Sequence, residues 1–382
     1  TGLDMAGPSA RSIECDVAVI GGGVVGLSVA FGLAGHGLAV TMLDEGDVAF
    51  RASRGNFALV WVQGKGIDLP AYARWTLESA LAWKDFAILL RQETGIDPAL
   101  DQRGGLTACL SERDLADRAA QMRRLHNAAP DCAGVEILDH RGMKALLPEI
   151  GPDVVGGTFC PHDGHVNSLR LFGALHQGCQ GRGVVYRPNA TIDTVTPLAS
   201  GFRIRTPDAE VRAGKVVLAA GLGNATLAPQ VGLSAPVRPQ RGQVMVTEKL
   251  APFLHYPLGT IRQTDEGGVM LGDSKEEVGF DTGNSHQVLG EIATHAIKVF
   301  PLLARAQIVR SWGALRVMSP DGYPIYDRST ACPGAYLVTC HSGVTLAASH
   351  ASIIAGAIAT DSWPDSITGF SARRFGDVPA AA

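Results

Sequence analysis

Three observations predict an α/β protein in which a Rossmann-like unit is joined to an α+β unit built on a mixed sheet. The run VAVIGGGVVGLSVAFGLAGHGLAVTMLD at 17–44 reads strand, glycine turn, helix, turn, strand and acidic terminus, all within one unit of about thirty residues. A second apolar run, VVLAAG at 216–221, suits an inner strand buried on both faces. Strand-like runs such as GQVMVTE (242–248) and GGVMLGDS (267–274), with a helical pattern near 287–300, supply the second unit.

The glycine turn specifies a dinucleotide site. Gly21 makes the tight turn, Gly23 lets the backbone approach a pyrophosphate, and Gly26 lets the helix pack on the strand. Val24 and Val25 lie at the helix N-terminus, where unpaired N–H groups attract the pyrophosphate. Asp44 ends the second strand, placed to hydrogen-bond a ribose diol, with Glu45 beside it.

Composition narrows the function classes. The chain has 382 residues with 46 Gly, enough for two domains. A formal net charge of -4 without long runs of like charge gives no attraction to nucleic acid. No run of eighteen apolar residues marks a transmembrane helix. Thr1–Glu14 reads as a flexible leader or cloning remnant rather than a signal peptide. Seven scattered cysteines without a C-x-x-C pair suit reduced thiols in the cytoplasm, with peripheral membrane association left open. His162 and His165 in PHDGH lack a third ligand at recognisable spacing, so no metal is expected.

Further along, Tyr72, Trp75, Ala82, Phe86 and Leu89 mark one face of a long helix from Leu69 to Gly95. A strand at GGLTACLS, a charged helix over Glu112–His126, a strand at VEILD and a short helix closing at LLPEI follow. A strand is expected around Val184–Val195, then a hairpin from FRIRT into VVLAAG. The last run, AYLVTCHSGVTLAASHASIIAGAI, reads strand, sharp turn and apolar helix. Gly343, Val344 and Thr345 would open that helix and form a positive end.

Four motifs in order resemble the D-amino acid oxidase, glycine oxidase and sarcosine oxidase family of FAD enzymes over nearly the whole chain. They are the glycine turn with Asp44, ASRGNFALV (52–60), VVLAAGLGN (216–224), and WGALRVMSPDGYPIYD (312–327) with CHSGVTLAAS (340–349). SRGNFALVWVQGKG and CPHDGHVN are most similar to the B-type flavin subunits of heteromeric opine or D-hydroxyproline dehydrogenases and to hydrogen cyanide synthase.

The resemblance implies an FAD-binding domain over 11–98, 145–235 and 320–375, and a substrate domain over 99–144 and 236–319. It implies non-covalent FAD, because WGALRV holds no cysteine, with FMN at a subunit interface as a further cofactor. Ser53, Arg54 and Asn56 match the segment beneath the pyrophosphate and flavin. Ala190, in the strand after Pro188, matches the residue whose backbone meets adenine, and Ala220 and Gly221 match a small-residue turn near the dinucleotide. His341 and Ser342 would border the flavin ring, with Gly343–Thr345 at its N1/C2=O edge. Arg316 would pair with the substrate carboxylate, and Tyr256 and Arg262 are secondary pocket candidates. The implied reaction is oxidative deamination or dehydrogenation of an amino or imino acid (a D-amino acid, an N-substituted glycine, D-hydroxyproline or an opine) by hydride transfer to flavin N5. Met270 stands where related oxidases carry a strand lysine, which favours a dehydrogenase passing electrons to an acceptor or to another protein of a heteromer. Two alternatives are a non-catalytic flavin-binding subunit and a nicotinamide-dependent dehydrogenase.

Overall fold

The structure is a computed structural model that describes residues 11–46, 52–55, 57–132 and 134–376, without the side chains of Arg11 and Arg54. The expectations for Asn56 and the Arg54 side chain lie outside the described residues, as does most of the N-terminal leader. Its last residues belong to the fold, because strand β1 (Arg11–Ile20) already pairs Arg11 with Ala209.

β1 is central in an eight-stranded sheet. It lies parallel to β2 (Val40–Leu43) on one side and to the strand Ala209–Leu218 on the other. Outward from these, Val185–Arg187 and Ala335–Thr339 add in parallel, and Ile325–Arg328 closes one edge antiparallel. The continuous apolar run of β1 follows from double burial: Val17 and Val19 enter the core beneath helix α1 (Val24–Gly35), while Ala18 and Ile20 enter the core on the opposite face. The strand expected over 184–195 is two strands, Val185–Arg187 and Thr194–Pro197. Pro188 has no N–H for a ladder, and Asn189 turns the chain at φ 57°.

Helix α2 (Pro70–Thr94) starts with proline at its first position and stops at Gly95, which takes φ 72°. Tyr72, Trp75 and Phe86 are buried as expected, but Leu89 is 37% exposed. The inward stripe runs instead through Ser79, Trp83 and Leu90, the positions that a 3.6-residue period brings onto one face.

The second unit contains a four-stranded antiparallel sheet, in spatial order Ile261–Gln263, Gly268–Leu271, Arg238–Lys249 and Ile308–Met318. A three-stranded antiparallel sheet of Gly105–Cys109, Gly156–Cys160 and Glu136–Asp139 is joined by the parallel bridge Leu106–Leu258 to the segment that leads into Ile261–Gln263. Helix His286–Val299 packs Ile292, Ala296 and Val299 into their shared core.

After Ala335–Thr339, the regular C-terminal helix begins at Ala347 rather than Gly343. It runs as Ala347–Ser349, a π-helical His350–Ile354 and Ala355–Thr360. Ser342–Leu346 form a preceding turn closed by Leu346 N–H to Ser342 O at 3.0 Å.

Candidate active site

One cavity of about 1040 Å³ runs from the glycine turn to the second sheet, at the top of the range of about 300–1,000 Å³ usual for small-molecule pockets. At one end it is lined by Gly21, Gly23, Val24, Val25, Asp44 and Glu45. Gly21 takes φ +111°, and a Cβ there would lie 2.4 Å from Ala219 O. Gly26 does not face the cavity; a Cβ on it would sit 1.9 Å from Gly21 O, so this glycine sets the distance between helix and strand. Asp44 Oδ2 accepts from Gly22 N–H at 2.6 Å and Oδ1 from Gly46 N–H at 2.8 Å, which fixes the buried carboxylate at the end of β2. Ser53 Oγ accepts from Val24 N–H at 3.1 Å, bringing the 52–55 segment onto the start of α1. Ala190 hydrogen-bonds through its N–H to Asp44 O at 2.8 Å, and it lines this end with Ala220 and Gly221.

Beyond the glycine turn the cavity is lined by Lys65, Tyr72, Arg316 and the turn His341–Thr345, whose Gly343 lies against Val24 and Val25 at the start of α1. Ser342 Oγ accepts from Lys65 Nζ and from Tyr72 O–H, each at 3.0 Å. Desolvation, opposed by Asp163, brings the Lys65 ammonium down to about 8. The His341 imidazole is open to the cavity, and desolvation together with Lys65, Arg316 and Lys275 brings it down to about 3. Trp83 Nε1–H donates to Val344 O and Thr345 O at 3.0 Å, and Ser79 Oγ donates to Thr345 O at 2.8 Å. The buried stripe of α2 therefore holds the turn from behind.

Arg316 reaches the cavity, but its guanidinium is engaged. It donates to Asp273 Oδ2 at 2.7 Å, to Ser274 O at 2.7 Å and to Arg241 O at 3.3 Å. Tyr256 and Arg262 are not in the cavity wall. Tyr256 packs edge-on against Phe159 with ring centroids 5.8 Å apart, because the strand turn carrying it faces the second unit's core. Arg262 is 2% exposed behind Phe57, hydrogen-bonded to His165 Nδ1 at 3.2 Å and to Met270 sulfur at 2.9 Å. Met270 is likewise buried away from the wall.

The residues missed by sequence reasoning are those that set the Lys65 loop. Asp163 Oδ1 accepts from Val62 N–H at 2.5 Å and Oδ2 from Gln63 Nε2 at 2.7 Å. Gln63 Oε1 accepts from Arg118, Thr107 and Thr158. Burial pushes the Asp163 carboxyl up to about 7 against the pull of these donors. The one sequence signal was the lysine between two glycines in Gly64-Lys65-Gly66. Among the described residues no group of three His, Cys, Asp or Glu side chains could hold a metal, and no helix is long and apolar enough to cross a membrane. All seven cysteines are free thiols.

The residues fit a flavin dinucleotide. The side-chain-free turn at Gly21 and Gly23 leaves backbone surface for a pyrophosphate, and the cavity continues without a break to the His341–Thr345 turn. Thr339 Oγ1, buried in the cavity wall, has no hydrogen-bond partner within the protein and is available to a bound group.

Comparison with known proteins agrees. The B-type subunit of opine oxidase from Agrobacterium tumefaciens (strain Ach5) is 45% identical over 366 residues, covering 95% of this chain and 98% of its own. The crystal structure of glycine oxidase from Geobacillus kaustophilus has the same fold, with a TM-score of 0.85 at 22% identity over 94% of this chain and 98% of that one. Iminodiacetate oxidase from Chelativorans sp. BNC1 superposes with a TM-score of 0.80 at 20% identity, covering 93% and 98%. The family described as "DAO: FAD dependent oxidoreductase" matches residues 16–357, and this chain belongs to it.

Proposed function

We propose that this chain oxidises an amino or imino acid at its carbon–nitrogen bond, and that its substrate is an imino diacid of the opine type, an N-carboxyalkyl amino acid. The observation that carries the substrate reading is charge: Lys65, Lys275 and Arg316 all line the end of the cavity closed by the second sheet, against one carboxylate there, Asp273. Such a surplus of cations in a confined site suits a ligand with more than one carboxylate. FAD supplies the hydride-accepting group. The protein's share is to orient the substrate with these cations, to hold the Ser342–Thr345 turn rigid from α2, and to surround the reacting atoms with protein.

Two finer readings accompany this one. The chain acts as a dehydrogenase, handing electrons to an acceptor other than oxygen; Met270, turned away from the cavity, does not bear on this, and the comparison of dye with oxygen decides it. It works as one component of a heteromer, as supported by the name of the relative at 45% identity. The pairing of Gly156–Cys160 with Gly105–Cys109 and Glu136–Asp139 supports extending the first segment of the substrate unit to residue 160.

The test is an anaerobic screen of flavin bleaching with D-amino acids, N-methyl amino acids, D-hydroxyproline and opines. Bleaching by an opine ahead of its single-carboxylate analogue is expected. A flavin-loaded protein bleached by none of them would instead be a flavin-holding component without its own substrate. Turnover with a dye but not with oxygen would support the dehydrogenase reading.

A further inference from the structure

We infer that Lys65, rather than Arg316, is the primary anchor for a substrate carboxylate. This rests on the amino-acid reading above. The two cations differ in what they already hold. Arg316 is ion-paired to Asp273 and donates to two main-chain carbonyls, so a carboxylate reaching it must compete with a resident one. Lys65 donates to a neutral hydroxyl, Ser342 Oγ, and among the described residues no carboxylate lies within ion-pair distance of its ammonium. Its remaining N–H donors are thus open to a ligand, in a half-buried position where a charge-assisted hydrogen bond is stronger than in water.

The loop holds Lys65 in place before any ligand arrives. Gly64 and Gly66 on either side take φ +79° and +73°, and a Cβ on Gly66 would lie 2.3 Å from Ala73 N, so the loop rests directly on the first turn of α2. Lys65 N–H donates to Val62 O at 3.0 Å, and Val62 N–H is itself fixed by Asp163. Ser342, which receives Lys65 and Tyr72 together, then orients the ammonium at the base of the turn. A cation fixed in this way loses little freedom on binding. Lys275, the third cation, is exposed and has no such support.

The charged and titratable groups around Lys65 are Asp163, Lys275, Arg316, Cys340, His341 and Tyr72. Burial pushes the Cys340 thiol up to about 12 and Tyr72 upward, while His341 stays neutral above about 3. Lys65 itself, down at about 8, therefore gives carboxylate binding that weakens as pH rises through that value.

The experiment titrates the FAD-loaded full-length protein with benzoate, a carboxylate that cannot be oxidised, and follows the flavin absorbance. It then measures KM and kcat for iminodiacetate. Lys65→Met is expected to weaken benzoate at least about 30-fold and to raise KM far more than it lowers kcat. Lys65→Arg should restore most of the affinity and carry it unchanged beyond pH 9. Lys65→Gln, which keeps a donor toward Ser342, serves if the methionine variant loses flavin; it should match the methionine variant in affinity. Benzoate affinity within threefold of wild type in both uncharged variants would overturn the inference, as would a shift in flavin reduction potential with carboxylate affinity unchanged, which would place the charge at the cofactor. A wild-type protein that binds neither benzoate nor any amino or imino acid would instead overturn the functional reading, and this inference with it.

Discussion

The hydroxyl of Thr345 is clasped by the segment from Leu59 to Trp61. Trp61 N–H donates to Thr345 Oγ1 at 3.1 Å, and that hydroxyl donates in turn to Leu59 O at 3.1 Å. One side chain thus satisfies two main-chain groups across 284 residues and fixes the turn before the C-terminal helix against the loop that leads to Lys65.

Replacing Thr345 by Val keeps the shape and removes both bonds. Two main-chain groups are left without a partner, which should cost about 1–3 kcal/mol. The expected result is a lower thermal midpoint and weaker FAD retention, with Thr345→Ser restoring both. An unchanged midpoint in the valine variant would show that the clasp contributes nothing.

Asp44 organises the glycine turn through Gly22 and Gly46 as well as facing the cavity. Asp44→Ala should weaken FAD binding about 10- to 100-fold, the scale of one or two charge-assisted hydrogen bonds. Flavin fluorescence released on dilution measures it. Acid precipitation of the wild-type protein should release all of the flavin, since the WGALRV segment holds no cysteine to bind it covalently.

Asp273 occupies Arg316. Asp273→Asn would leave the guanidinium without a charge partner in the cavity, and affinity for iminodiacetate should rise several-fold, more than affinity for N-methylglycine, which has a single carboxylate. Equal changes for the two ligands would argue against Arg316 as the receiver of a second carboxylate.

Acid stability should depend on buried histidines. His350 is fully buried, accepts from or donates to Tyr326 O–H at 2.8 Å, and is brought down to about 3 by desolvation; His165 is brought down to about 4. Both folded values lie below the unfolded value near 6.5. Their neutral forms therefore cost nothing above pH 6.5, and stability is lost as pH falls from there toward 3–4, by roughly 2 kcal/mol per histidine at pH 5. Asp163 works in the opposite sense: raised to about 7 from an unfolded value of about 3.9, it favours folding when protonated and withdraws that contribution as pH rises from about 4 to 7. Thermal midpoints between pH 5 and 8 should fall less steeply on the acid side for His350→Gln, and should gain on the wild type as pH rises from 5 to 7 for Asp163→Asn. A His350→Gln profile that parallels the wild type would exclude His350 as a source of acid sensitivity.

The dinucleotide end of the site was legible in the chain because its determinants are local. Gly21, Gly23, Gly26 and Asp44 fall within one βαβ unit, where turn geometry and a strand end dictate their positions. The long helix was legible too, although its face was misplaced at Leu89, since periodicity alone cannot choose between adjacent positions at the flank of a stripe. The substrate end was not legible in the same way. Arg316 was matched by its position in a motif and Tyr256 and Arg262 were only pocket candidates, and packing alone decides that Arg316 is held by Asp273, that Tyr256 turns toward Phe159, and that Arg262 lies behind Phe57.

The sequence by itself determined the α/β class and a turn suited to a dinucleotide, because a glycine turn between a strand and a helix leaves the backbone few other arrangements; that the dinucleotide is FAD followed from the resemblance of four motifs in order. Only the tertiary structure decided which cation is open to a substrate. Lys65, Ser342 and Asp273 come from loops far apart in the chain, and whether a charge is satisfied or waiting depends on which partners the fold brings within about 3 Å.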